Sequence, residues 1–130
     1  MVVAGVIERD GRILICQRKP GSRHALKWEF PGGKVEHGET PPQALARELH
    51  EELAIQAEIG AELTRYEYRY PASPPLLLIF LRVSRYSGEP QNLDFNAIRW
   101  EPRERLPQYD FLEGDTEFVR RLAAGEFEVG

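Results

Sequence analysis

Residues 32–55 read GGKVEHGETPPQALARELHEELAI: a glycine pair, a short loop, a helix and its end. Thr40 has the side chain of an N-cap, Pro41 is pre-set for the first helical position, and Gln43 at N3 completes a capping box. From Pro41 to Leu53, the leucines 45, 49 and 53 recur every four residues, which predicts one buried helical face. Glu48, Glu51 and Glu52 stand at i, i+3 and i+4, on an arc beside that face. Like charges at these spacings repel by a few tenths of a kcal/mol per pair. They also lie toward the helix C-terminus, where the macrodipole disfavours anions. Such a helix calls for a cation. Arg47 can supply part of it, reaching Glu51 at i+4, and a bound divalent ion more; the alternative is a solvated acidic face. Only oxygen ligands are at hand, because no cysteine is near and His24, His37 and His50 lack a metal-ligand spacing. Oxygen ligands suit a hard cation, Mg²⁺ or Mn²⁺. Gly32 and Gly33 allow close approach of backbone to a ligand and Lys34 adds a positive charge. A glycine loop, a lysine, a capped helix and a carboxylate rim together describe a site for metal-bound pyrophosphate.

Outward from this segment the chain reads as an alternation of strands and helices. Residues 2–7 and 12–18 predict two strands joined by Asp10-Gly11, a hairpin signal of the type I′ turn. Residues 62–70 and 76–86 predict two more, then a short strand at 97–100, and a last helix at 116–124 with Asp115 as its cap. Tyr66, Tyr68 and Tyr70 alternate along one strand face, a packing pattern. The order β-β-α-β-β-β-α implies an α/β fold with a mixed sheet and helices packed on it.

The 130 residues suit one domain, residues 1–130, and 42% hydrophobic with 29% charged excludes wholesale disorder. The single cysteine, Cys16, lies in an apolar run and reads as a buried thiol in a reducing compartment. No segment is apolar enough to span a bilayer and no secretory signal is visible, so the expected location is the cytoplasm, with no membrane partner. The formal net charge of −4 is local. Between Glu36 and Glu52 five acids face one base, while everything outside that segment cancels. Just upstream, residues 9–34 carry seven bases against two acids. Adjacent basic and acidic stretches do not suit a uniformly basic binder of nucleic-acid polymer.

The pattern Gly33-x5-Glu39-x7-Arg47-Glu48-Leu49-x-Glu51-Glu52-x-Ala54-Ile55 resembles the signature of the Nudix hydrolases, with Ala54 where the signature has Gly. The flank Trp28-Glu29-Phe30-Pro31-Gly32-Gly33-Lys34-Val35-Glu36 is similar to the loop of the MutT-like branch. The resemblance covers nearly the whole chain and implies the Nudix fold, an α/β/α sandwich. It implies hydrolysis of a nucleoside triphosphate to the monophosphate and pyrophosphate, with an oxidised purine such as 8-oxo-dGTP as substrate. A CTP-type pyrimidine pyrophosphohydrolase and a non-catalytic nucleotide sensor are the alternatives; the three intact glutamates speak against the sensor. By the same analogy Glu48, Glu52, Glu51 and the Gly32 carbonyl are metal ligands and Arg47 orients the glutamates. Glu39 holds the loop to the helix, and Asp94 stands where a later loop contributes a fourth acid, as ligand or base. Asp94 as a local backbone cap is the alternative.

At the other end of the substrate, the resemblance places Asp115 where a residue hydrogen-bonds the base, a role that can coexist with capping. An ionised Asp only accepts hydrogen bonds, so guanine, 8-oxoguanine or cytosine donor edges fit it. Trp28 and Phe30 can stack on a base, core packing being expected for one of the two. Arg18, Arg23 and His24 resemble phosphate- or base-contacting positions, and Gly33 and Lys34 complete the expected substrate site. A monomer or weak homodimer is expected.

Overall fold

The computed structural model describes residues 1–128. Its order is β1 (Val2–Val6), β2 (Glu8–Arg9), β3 (Arg12–Gln17), β4 (Trp28–Glu29), β5 (Gly32–Lys34), α1 (Pro41–Leu53), β6 (Gln56–Tyr68), β7 (Leu76–Ser87), β8 (Ala97–Glu101) and α2 (Thr116–Ala123). The apolar run 76–81 belongs to β7, which pairs parallel with β1 and antiparallel with β6. With β5 beside β1, the strand order is β5-β1-β7-β6, a mixed sheet. A central strand needs apolar residues on both faces. Ile79, Leu81 and Val83 pack with Leu45, Leu49 and Leu53 of α1, whereas Leu78 and Phe80 pack with Phe118, Val119 and Leu122 of α2. Two helical layers enclose the sheet, the α/β/α sandwich that the sequence implies.

A second sheet forms around β3, which pairs with β2, β4 and β8. Its hairpin turns on Asp10 and Gly11 at φ 53° and 76°, both positive as type I′ requires. Cys16 on β3 is fully buried and unbridged, and burial pushes its thiol well above the ordinary range.

The structure departs from the sequence reading in three places. Residues 28–34, expected as loop, contain β4 and β5. The strand expected at 62–70 runs instead over Gln56–Tyr68, and register shifts between Glu58 and Thr64 break its alternation. Asp115 precedes α2 but does not cap it: its backbone sits at φ −91°, ψ −10° at the end of a 3₁₀ turn (Glu113–Asp115), and its side chain makes no capping hydrogen bond. A capping side chain needs an extended N-cap backbone to reach forward.

α1 begins as its sequence dictates. Thr40 accepts from the Gln43 N–H at 3.3 Å and the Gln43 side chain accepts from the Thr40 N–H at 3.0 Å. It ends at Ala54, in the left-handed region at φ 58°, ψ 32°, with its N–H donating to the His50 carbonyl. A Cβ there is strained, and glycine is not. Ala54→Gly is therefore expected to stabilise the protein by roughly 1 kcal/mol, raising the melting temperature by a few degrees. A lower melting temperature in thermal denaturation would contradict the strain at this C-cap.

Candidate active site

Arg47 ties the loop before α1 to the helix glutamates. Its Nε and Nη2 donate to the two Glu39 oxygens at 2.7 and 3.0 Å, and Nη2 also reaches the Lys34 carbonyl at 3.1 Å. Nη1 donates to Glu48 at 2.8 Å and to Glu51 at 3.4 Å. All five guanidinium donors thus have acceptors. One side chain ties the loop before α1 to two of the helix glutamates, and Glu39, rather than Glu51, is its main partner. Glu39 in turn accepts from the Glu36 N–H at 3.0 Å, closing the loop on itself, and its carboxyl is held below the ordinary range by Arg47.

Gly32 is required by space, because backbone lies against it, whereas Gly33 faces only the end of the Glu48 side chain. A Cβ on Gly33 would lie 2.6 to 2.8 Å from the Glu48 carboxyl group, and one on Gly32 would lie 2.0 Å from the Val3 carbonyl oxygen. The Gly32 N–H donates to Glu52 at 3.1 Å, so the group of Gly32 in contact with a helix glutamate is its amide rather than the carbonyl expected as a ligand. Arg47 does not reach Glu52. Burial, with Glu48, Glu29 and Asp94 nearby, pushes the Glu52 carboxyl up to about 9. Burial also raises Glu48, against the pull of Arg47.

Asp94 arrives beside Glu52 because its loop docks on the end of α1. The Leu93 and Gln91 N–H groups donate to the Glu52 and Leu53 carbonyls at 3.1 and 2.8 Å, satisfying carbonyls that a helix end leaves open. The local backbone cap in this loop is Asn92, which accepts from the Phe95 N–H at 2.8 Å. Asp94 itself is exposed at the cavity rim.

Glu29 was not anticipated as a site residue. It lies on β4, is held by Arg18 at 3.2 Å, and is raised by burial despite that partner. Its signal in the sequence was only its place between Trp28 and Phe30, since a two-residue strand has no periodicity. Glu29, Glu52 and Asp94 all border one cavity of about 640 Å³.

Arg18, Arg23, Gly32, Gly33 and Lys34 line the same cavity, and so do Phe30 and Asp115. Arg23 donates to Ser73 at 3.0 Å, and the His24 ring packs against Tyr70 at a tilt of 40° with ring centroids 4.8 Å apart. Both candidate stacking residues are buried. Phe30 faces the cavity and packs on Phe111, whereas Trp28 lies outside it, edge-on to Tyr109 with Arg99 over its ring. Trp28 therefore joins the core and does not offer a face to a base. Its backbone instead anchors the segment before α2, donating to the Asp110 carbonyl and accepting from the Leu112 N–H, both at 2.9 Å. Arg47, Glu39, Glu48 and Glu51 stand behind or beside the cavity wall rather than in its lining.

Asp115 is 7% exposed, and burial together with Glu29 pushes its carboxyl up to about 8. That shift favours the protonated form, which can both donate and accept, whereas the ionised aspartate of the sequence reading only accepts.

The donor set fits a hard divalent cation. It is all oxygen, and the Glu52 carboxyl sits among like charges with only an amide as partner. As the side chains stand, no three His, Cys, Asp or Glu residues among those described are placed to hold an ion together, because Glu48 is turned to Arg47 and Glu52 to Gly32.

Asp115 and Glu52 both bind protons in the fold above the ordinary carboxylate range, so each stabilises at low pH and loses that contribution as pH rises through about 8 and 9. Metal-free protein should thus lose stability between pH 5 and pH 9 on the order of a few kcal/mol. Asp115→Asn should flatten the lower part of that slope in melting curves. An identical slope in the variant would show that Asp115 titrates normally.

Among the described residues no helix is long and apolar enough to cross a membrane. The family model described as NUDIX domain matches residues 1–122. The CTP pyrophosphohydrolase of Escherichia coli (strain K12) is 38% identical over 123 residues, covering 95% of this chain and 90% of that protein. The 8-oxo-dGTP diphosphatase of Haemophilus influenzae is also 38% identical over 123 residues, covering 93% and 89%. In structure, the MutT NUDIX hydrolase from Burkholderia pseudomallei matches with a TM-score of 0.79 at 30% identity, covering 91% of this chain and 92% of that one. The match over almost the whole length, on the motif whose side chains Arg47 assembles, shows that the chain belongs to the Nudix family.

Proposed function

We propose that this protein is a Nudix-type nucleoside triphosphate diphosphohydrolase, a single domain that acts on an oxidised purine such as 8-oxo-dGTP in sanitation of the nucleotide pool. The observation that carries this is the mixed chemistry of one cavity, lined together by the acids Glu29, Glu52 and Asp94, the bases Arg18, Arg23 and Lys34, and the nearly buried Asp115 carboxyl. A nucleotide laid between them has its phosphates at the acids and bases and its base at Asp115. Members of the family generally need divalent metal ions. Here Glu48, Glu52 and Asp94 would hold Mg²⁺ or Mn²⁺, with Glu51 in support; such an ion supplies charge neutralisation for the phosphates and acidifies water.

The protein's own groups do the rest. Arg18, Arg23 and Lys34 meet the phosphate oxygens. Water attacks phosphorus, the bridging P–O bond breaks, and pyrophosphate leaves from the monophosphate. A carboxylate of the Glu48/Glu52/Asp94 set, in its ionised form, takes the proton from the water. Arg47 orients Glu48 and Glu39 holds the loop under it.

A protonated Asp115 offers one donor and one acceptor. The 8-oxoguanine edge of N7–H and O6 matches that pair, and so does the cytosine edge of N4–H₂ and N3. The second reading, a CTP-type pyrophosphohydrolase, rests on this and on the name of one relative at 38% identity. Pyrophosphate release from a panel of nucleoside triphosphates with Mg²⁺ or Mn²⁺ tests both. Preference for 8-oxo-dGTP supports the first, preference for CTP or a deoxy analogue replaces it, and nucleotide binding without release would leave a sensor. Glu48→Gln should cut turnover about a hundredfold or more without lowering the melting temperature. Near-normal turnover in that variant would remove Glu48 from the chemistry.

A further inference from the structure

Gly114 immediately precedes Asp115, and both of its peptide polar groups are held by tyrosines from the β6 side of the sheet. The Tyr66 hydroxyl donates to the Gly114 carbonyl at 2.6 Å, and the Gly114 N–H donates to the Tyr70 hydroxyl at 2.9 Å. The glycine is there for space, because its φ is not among the positive ones. A Cβ would lie 2.9 Å from the Tyr70 hydroxyl, 3.1 Å from Leu78 Cδ1 and 3.3 Å from Tyr68 Cδ2. On the other side the same segment is sewn to β4 by the two backbone hydrogen bonds of Trp28. Asp115 is thus suspended between two anchors, while its own carboxyl makes no capping hydrogen bond and opens only into the cavity. The alternation of Tyr66, Tyr68 and Tyr70, read from sequence as packing, is on this evidence divided. Tyr66 and Tyr70 grip Gly114, and Tyr68 donates to the neighbouring Glu113 at 3.0 Å.

We propose that Tyr66 and Tyr70 are positioning residues that determine base specificity: by clamping the Gly114 peptide from both sides they fix the Asp115 carboxyl at the base end of the cavity. This rests on the nucleotide-hydrolase function proposed above. A carboxyl with a single backbone attachment and no hydrogen bond of its own takes its position from the peptide before it. Loosening that peptide lets the carboxyl shift relative to a base edge, and hydrogen-bond discrimination depends on a few tenths of an ångström. Tyr70 also packs against the His24 ring, so the clamp touches another residue that lines the cavity. The phosphate-side acids are untouched by it, so the chemical step is not its business.

The test uses Tyr66→Phe and Tyr70→Phe, each alone and each combined with Asp115→Asn. Steady-state pyrophosphate release is measured on the preferred nucleotide and on the next best. Each single variant should raise KM for the preferred nucleotide about fivefold, the scale of one lost hydrogen bond, with kcat nearly unchanged. The kcat/KM ratio between the two nucleotides should fall by a similar factor. In the Asp115→Asn background the tyrosine changes should add nothing, because they act through that carboxyl. An unchanged ratio, or effects additive with Asp115→Asn, overturns the proposal and leaves the tyrosines as packing. A readout independent of turnover is carbon-detected NMR titration of the Asp115 carboxyl in nucleotide-free protein. The hydroxyl deletions should move that titration toward the ordinary carboxylate range as the group gains solvent; an unmoved titration in both variants overturns the clamp. Should the wild type hydrolyse no nucleotide, the proposed function fails, and the titration still decides the clamp.

Discussion

The site depends on a single guanidinium. Without Arg47, Glu39 has no reason to fold the preceding loop against α1, and Glu48 and Glu51 repel each other at a helix end that already disfavours anions. A bidentate arginine–carboxylate pair fixes direction as well as distance, which a lysine would not. The glycine strand β5 then lies so close under the helix that a side chain at position 33 would push the Glu48 carboxyl aside. The capping box, the hub and the glycine pair are one mechanical unit: the cap sets where α1 begins, and the hub sets which way its glutamates point. The glycines let the sheet approach.

What Arg47 leaves unneutralised defines the rest. It compensates Glu39, Glu48 and Glu51 but not Glu52, and Arg18 compensates Glu29 only in part. The acidic excess of residues 36–52 therefore does not spread over the surface as a solvated face. Most of it is gathered on Arg47, and Glu52 alone of these acids lines the cavity, together with Arg18, Arg23 and Lys34. Burying like-charged carboxylates together is unfavourable, and protonation or a bound cation relieves it. Which of the two relieves it differs between Glu52 and Asp115. Near Glu52 the acids are several and all oxygen, which suits a cation; at Asp115 burial, with Glu29 nearby, favours the protonated carboxyl.

The elements legible in the sequence were those with local signals. Asp10-Gly11 declared its turn through positive φ, Thr40 and Gln43 declared the helix start, and Leu45, Leu49 and Leu53 declared the buried face. β4 and β5 were not legible, because strands of two and three residues show no period and lie among Pro and Gly. The true start of β6 was masked by the bulged stretch around Gly60. At Asp115 the sequence rule that an Asp before a helix caps it was overridden by a 3₁₀ turn that rotates the side chain inward. Local rules fail most often where function imposes a different conformation, and this failure falls on the base end of the cavity. Glu29 was missed for a related reason. Its importance comes from pairing with Cys16 across β3 and β4, a contact between distant residues with no trace in either segment.

The same logic explains why base preference is harder to read than chemistry. The phosphate end is written in residue types at fixed spacing, so a motif identifies it. The base end is written in the protonation state and placement of one carboxyl. Protonation follows from burial, which the sequence does not display, and placement follows from tyrosines some forty-five residues away that hold a neighbouring peptide. An ionised aspartate and a protonated one are the same letter, but the first only accepts hydrogen bonds from a nucleobase and the second also donates one. Relatives that share every residue of the signature can therefore differ in substrate without a change in the motif. The residues that distinguish them are those that bury, hold and aim the group at position 115.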